Sequence, residues 1–130
     1  MADDDQLTVE LVAADRTVWT GEATMVLART TDGEIGVLAN HTPVLSVLLP
    51  SAVEITMPDG DRQHAVIDGG FISVANNRIS VLAEHAQLAD EVDLEAARRD
   101  LEEARSSAES PMDPDLLHAE ARVFVGEKNR

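Results

Sequence analysis

The chain is 130 residues long, 44% hydrophobic and free of cysteine, with 10 Lys and Arg against 25 Asp and Glu for a formal net charge of −15. That length suits one domain, or a small domain with an appendage, and the missing thiols exclude disulfides and thiolate metal sites. The acid excess weighs against nucleic acid and anionic lipid as partners and leaves a basic protein surface open.

From the N-terminus, MADDDQ is acidic where a secretory leader is basic. No apolar run reaches the roughly 18–20 residues that span a bilayer. The expectation is a soluble protein that stays in the compartment where it is made. Trp19, Phe71 and Phe124 are the only aromatics, so the core must be built from Val, Leu, Ile, Ala and Met. In QLTVELVAA, Leu7, Val9 and Leu11 fall on one strand face and Thr8 and Glu10 on the other. TMVLART sets Met25 and Leu27 against Thr24, Val26 and Ala28. The stretch TTDGEIGVLANHTPVLSVL follows, with Gly33 and Gly36 flanking an acid and an aliphatic, then Asn40, His41, Pro43 and an apolar run. AVEITM places Val53, Ile55 and Met57 on one side; PDGD at 58–61 is a turn in which Asp-Gly supplies positive φ, and RQHAVI is the return strand. Asp68-Gly69-Gly70 reads as a tight corner rather than a phosphate nest. Asn76-Asn77 separates FISV from RISVLAE as another hairpin. Short strands at this spacing predict an antiparallel sandwich or barrel.

After residue 90 the period becomes helical. Asp93 is placed to cap a helix whose stripe is Leu94, Ala97, Leu101, Ala104 and Ala108, and Glu95 supports Arg98 and Arg99 one turn on. SSAESPMDP interrupts it; Asp113-Pro114 restarts a second helix, with Leu117, Ala121 and Phe124 on one face up to Gly126. Leu101 is expected to meet Leu117 or Phe124 across an αα-hairpin. Helices this short are not stable alone, so the hairpin must lean on the sandwich or on another protein. The predicted division is 1–90 for the β-sandwich and 91–130 for the hairpin. Six of the 10 Lys and Arg lie after residue 90. Arg98, Arg99, Arg105, Arg122, Lys128 and Arg130 are therefore candidates to meet an acidic surface, against the plainer reading of a solvated helix face.

No catalytic constellation or metal-ligand set is legible. His41, His64, His85 and His118 are widely spaced, and none has a second ligand at a metal-binding spacing. There is no G-x-S-x-G elbow and no GxxxxGK[ST] loop, and Gly33-x-x-Gly36 is no dinucleotide fingerprint. No cofactor is expected.

The succession GEIGVLANHTPVL, DGGFISV, ISVLAEHA and DLEAARRDLEEA resembles the epsilon subunit of the bacterial F-type ATP synthase. Gly33, Glu34, Ile35, Gly36, Val37, Leu38, His41, Pro43 and Leu45 match the family's first motif in order, Val44 departs from it mildly, and Gly69, Gly70 and Phe71 match its paired glycines and following strand. The resemblance covers about residues 7 to 127, least specifically in the helices. It implies a mainly β fold with C-terminal α structure: an antiparallel β-sandwich of about ten strands followed by a two-helix antiparallel hairpin. It implies a non-catalytic part of the rotating central stalk, peripheral at the cytoplasmic face of the bacterial plasma membrane and without direct lipid insertion. The sandwich would bind the gamma subunit and sit on the polar loops of the c-subunit ring. The helices would fold down on it, or extend along gamma toward the alpha and beta subunits and inhibit ATP hydrolysis. On that reading Gly33 and Gly36 form a sharp corner, Glu34 projects from it to the ring and His41 flanks it; the plainer reading of Glu34 is a solvated turn acid. Some relatives bind ATP through [IL]-D-x-x-R-A at the start of the first helix. Here Asp93 is present, Ala96 stands where the arginine belongs, and Arg99 is the nearer substitute, so nucleotide binding is expected to be weak or absent. The alternative to a stalk subunit is a free-standing β-sandwich that binds a small ligand or acts as an enzyme.

Overall fold

The computed structural model describes residues 6–129; the acidic segment 1–5 and Arg130 lie outside them. Ten strands come first: β1 Leu7–Ala13, β2 Arg16–Ala23, β3 Met25–Thr30, β4 Gly33–Leu38, β5 Val44–Leu48, β6 Ser51–Thr56, β7 Arg62–Ile67, β8 Gly70–Ala75, β9 Arg78–Leu82 and β10 Ala86–Leu88. A single 3-10 turn, Ala89–Glu91, leads into α1 Leu94–Ser107 and α2 Pro114–Glu127.

The strands hydrogen-bond in the order β10-β7-β6-β3-β5-β8-β9-β1-β2, with β4 on β3. The sheet folds over where β3 changes partner, from β6 along Met25, Val26 and Leu27 to β5 at Thr30. Two layers result, closed around Leu7, Leu11, Ile55, Ile67, Ile72 and Ile79, all essentially inaccessible to solvent. The pairings are antiparallel except that of β1 with β9, which is parallel. The N-terminal strand thus fills the place between β9 and β2 instead of forming one more hairpin.

Alternation decides most faces. β1 buries Leu7, Val9, Leu11 and Ala13, and β6 buries Ser51, Val53 and Ile55. In β3 the buried side is Val26, Ala28 and Thr30; Met25 and Leu27 on the other side are apolar too, so periodicity alone does not choose between the faces. β7 breaks alternation, with His64 to Ile67 buried in succession, because helix α2 covers its outer side. Val66 there joins Ala89, Ala121 and Val125, with Ala52 and Val92 at the margin, in a second small core.

The turns follow local chemistry. Asn76 and Asn77 both take positive φ, 52° and 61°, as a two-residue hairpin of type I′ requires. At the β7–β8 corner Gly70 has φ +123°, and a Cβ there would stand 1.9 Å from the Leu82 carbonyl oxygen, so no other residue fits. Both helix starts are capped as predicted: Asp93 Oδ1 accepts from Ala96 N at 3.2 Å, and Asp113 Oδ1 from Asp115 N at 2.9 Å with Pro114 following. Ala97 and Leu101 of α1 and Leu117 of α2 are buried. Ala108 lies past the end of α1 in extended conformation. Phe124 is 45% exposed and turns toward the sandwich, edge-on to His64 at 6.1 Å, with Lys128 Nζ 4.6 Å over its ring. It is not the interhelical contact that its place in the helical period suggested.

Candidate functional surfaces

The β3–β4 connection is a two-residue turn, since Thr30 pairs with Gly33. Thr30 Oγ1 accepts from Asp32 N at 3.1 Å and donates to the Gly33 carbonyl at 2.7 Å, and Gly33 has φ +127°. Glu34 is exposed one residue beyond, opposite Arg29. It stands at the mouth of a cleft of about 300 Å³ between the sheet and α2, whose lining includes Leu27, Glu54, Leu117 and Phe124. Gly36 is no part of the corner: it sits within β4 opposite Leu27, where a Cβ would be 3.2 Å from Leu27 Cδ2.

His41 does not flank Glu34. It follows the far end of β4, its N–H donating to the Leu38 carbonyl at 3.2 Å and its Nδ1 lying 2.6 Å from the Thr42 carbonyl. Asn40 beside it donates its N–H to Asn77 Oδ1 at 2.6 Å. The two ends of this strand are about 17 Å apart at ~3.3 Å per residue. One end of the sandwich therefore carries the Gly33–Glu34 turn and the other carries His41.

The outer face of the layer that contains β5, β8 and β9 holds a further surface. Val47 of β5 pairs with Phe71 of β8, which pairs with Leu82 of β9. These three and Leu45 are 46–75% exposed, a contiguous apolar row on a sheet face that neither α1 nor α2 covers. The signal was present in VLSVL: Leu45 and Val47 alternate with Val44, Ser46 and Leu48, so apolar residues occupy both faces of one strand.

The helix cations divide in two. Arg122 bonds Asp100 at 2.8 Å and Arg98 bonds Glu127 at 3.4 Å, both within the hairpin. Arg99 and Arg105 are exposed and make no side-chain hydrogen bond or ion pair among the described residues. Asp93 is occupied as a cap, which leaves the stretch matching the nucleotide motif with Ala96 and a solvated Arg99.

Polar contacts also fasten the junction between sandwich and hairpin. Arg16 donates to Glu91 at 2.8 and 2.9 Å and to the Ala86 carbonyl at 3.2 Å, while Glu91 Oε1 accepts from Leu88 N at 2.9 Å. The Arg16 hydrogen bond and the one from Leu88 N hold the Glu91 carboxyl below the usual range. Asp68 accepts from the His85 backbone at 3.1 Å and from its ring at 2.9 Å. Burial works against the ionised Asp68, but these bonds outweigh it and its pKa falls; the same ring bond raises that of His85. His118 of α2, beside this pair, is pushed down by burial and by Arg122.

The described residues thus form a β-sandwich with an uncovered apolar face, a polar turn at one end and a two-helix hairpin laid against one layer. A family model described as the ATP synthase delta/epsilon chain beta-sandwich domain matches residues 6–89. Relatives named ATP synthase epsilon chain include that of Streptomyces avermitilis, 53% identical over 81% of this chain and 85% of that one. That of Streptomyces coelicolor is 49% identical over 92% of this chain and 91% of that one, and that of Rhodococcus jostii 47% over 81% and 87%. A chain of the Euglena gracilis mitochondrial ATP synthase, solved by cryo-EM as OSCP/F1/c-ring in rotational state 1, superposes with a TM-score of 0.72 at 28% identity, covering 95% of this chain and 78% of that one. One from the Tetrahymena thermophila mitochondrial ATP synthase central stalk and c-ring shares the fold, with a TM-score of 0.57 at 15% identity over 95% of each chain. The chain belongs to the ATP synthase epsilon-chain family, and with it to the non-catalytic central-stalk subunits of that membrane-associated complex. No described helix is long and apolar enough to cross a membrane.

Proposed function

We propose that this subunit couples the gamma subunit to the c-subunit ring and restrains ATP hydrolysis through its C-terminal helices, as a peripheral component at the cytoplasmic face of a bacterial plasma membrane. The observation that carries the coupling role is the row Leu45, Val47, Phe71 and Leu82 on a sheet face that its own helices leave bare. Contiguous apolar surface of this kind marks a protein interface, and gamma is its occupant. The Gly33–Glu34 turn, at the end of the sandwich, meets the polar loops of the ring; His41, at the other end, belongs to a different contact. Residues 1–90 act as the binding unit and residues 91–130 as the regulatory one. Arg99 and Arg105, which pair with no described residue in the docked hairpin, would meet alpha and beta subunits when it extends; Arg98 and Arg122 must first leave Glu127 and Asp100.

The test is reconstitution with gamma and the ring. Phe71→Glu should leave the isolated chain folded and abolish its co-purification with a gamma-containing complex; undiminished assembly would refute the assignment of that face. A cysteine at Glu34 should crosslink to one in a ring loop, and a cysteine at His41 should not. Deletion of the helical segment should raise ATP hydrolysis by the assembled enzyme, and an unchanged rate would remove the inhibitory role.

A further inference from the structure

Docking of the hairpin has an asymmetric basis. The two helices are joined to each other by Arg98–Glu127 and Arg122–Asp100. Among the described residues no side-chain hydrogen bond or ion pair joins either helix to the sandwich. The grip of the sandwich on the chain through polar groups ends at Glu91, where Arg16 and Leu88 N hold the carboxylate. Beyond it the attachment is apolar: Val92 and α2 seated on Val66, Ala89 and Ala52.

Gly126 lies at the centre of that attachment. It is buried in the last turn of α2, and a Cβ there would be 2.9 Å from Val92 Cγ1 and 3.1 Å from Leu94 Cδ1. Glycine is less favourable than alanine in a helix, so helix stability alone does not call for it here. What it supplies is a notch that admits the linker residue Val92 and the first residue of α1 against α2. Only one arrangement fills that notch: α1 and α2 closed on each other, with the linker still lying on the sheet.

We propose that Gly126 is the latch of the docked hairpin, with Val92, held on the sheet beside Val66, and Leu94 as the bolt; this rests on the reading that the hairpin undocks. Alanine at Gly126 improves α2 as an isolated helix and obstructs the notch, so it lowers the docked population without lowering helix content. The gain in helix stability acting alone would instead raise the docked population.

The absence of cysteine permits a direct test on the full chain, with spin labels at Thr20→Cys on the sandwich and Glu102→Cys on α1, both exposed. In the parent the distance of the docked hairpin is expected to dominate. Gly126→Ala is expected to shrink the short-distance population relative to the long one by about fivefold or more, with unchanged or greater helical circular dichroism. Val92→Ala added to Gly126→Ala removes the nearest obstructing methyl and restores the short distance. An unchanged distance distribution in Gly126→Ala, or no recovery in the double variant, overturns the latch. Hydrolysis by the assembled enzyme separates the two readings. A shifted distance with unaltered hydrolysis leaves the latch standing and removes the inhibitory role, whereas an unshifted distance removes the latch whatever the hydrolysis rate.

Discussion

At the scale of single residues, what was legible was what depends on near neighbours in the chain. Asp93 and Asp113 were readable as caps because a cap bonds an amide two or three residues on. Asn76 and Asn77 were readable as a turn for the same reason. The constraint on Gly36 is a cross-strand side chain, Leu27, and that on Gly126 comes from the linker and α1, so neither is legible from chain neighbours. Two expectations belong here. Asp93→Ala should cost about 0.5–2 kcal/mol of hairpin stability, and Asp93→Asn much less, since both Asp and Asn accept the amide bond; thermal melts of α1 helicity check this. With the Asp93 carboxylate engaged as a cap and Ala96 in place of a guanidinium, titration of the chain with Mg-ATP should show no binding tighter than about millimolar.

At the scale of elements, helices were legible in extent and only partly in facing. Leu117 and Ala121 point inward as their period predicts, but Phe124 rests beside His64 because α2 lies against the sheet as well as against α1. The same layered burial explains why four successive residues of β7 are buried. It also places His118 in partial burial, which with Arg122 and His85 depresses its pKa against the opposing pull of Asp68 and Asp115. A histidine depressed in the docked state takes up protons more readily when undocked, so docking should weaken as pH falls below about 6.5. His85 has the opposite sign: its raised pKa gives a contribution complete below about 6.5 and lost as pH rises through the folded value. Label distances measured across this range should show acid-side undocking that His118→Gln suppresses and His85→Gln does not.

At the scale of the whole molecule, the sandwich-plus-hairpin plan followed from turn spacing and the change of period near residue 90, whereas the apolar row did not, because it is assembled from β5, β8 and β9, of which β5 joins the β8–β9 hairpin only through tertiary pairing. The two apolar surfaces differ in consequence. Removing the chain after Val92 should bare Val66 and Ala52 and make the truncated sandwich less stable and more prone to associate, which Val66→Thr should relieve; size-exclusion profiles and melting temperatures decide it. The parallel seat of β1 beside β9 also bears on how the chain acquires its shape during synthesis. β2 follows β1 at once, but Thr8 and Leu11 find their other neighbours at Arg78 and Val81, so β1 leaves the ribosome well before the strand that encloses it. Closing so distant a pairing is slow. Stalled nascent chains ending before β9 should stay sensitive to protease throughout β1, and chains long enough to expose β9 beyond the ribosomal tunnel should abruptly become resistant there.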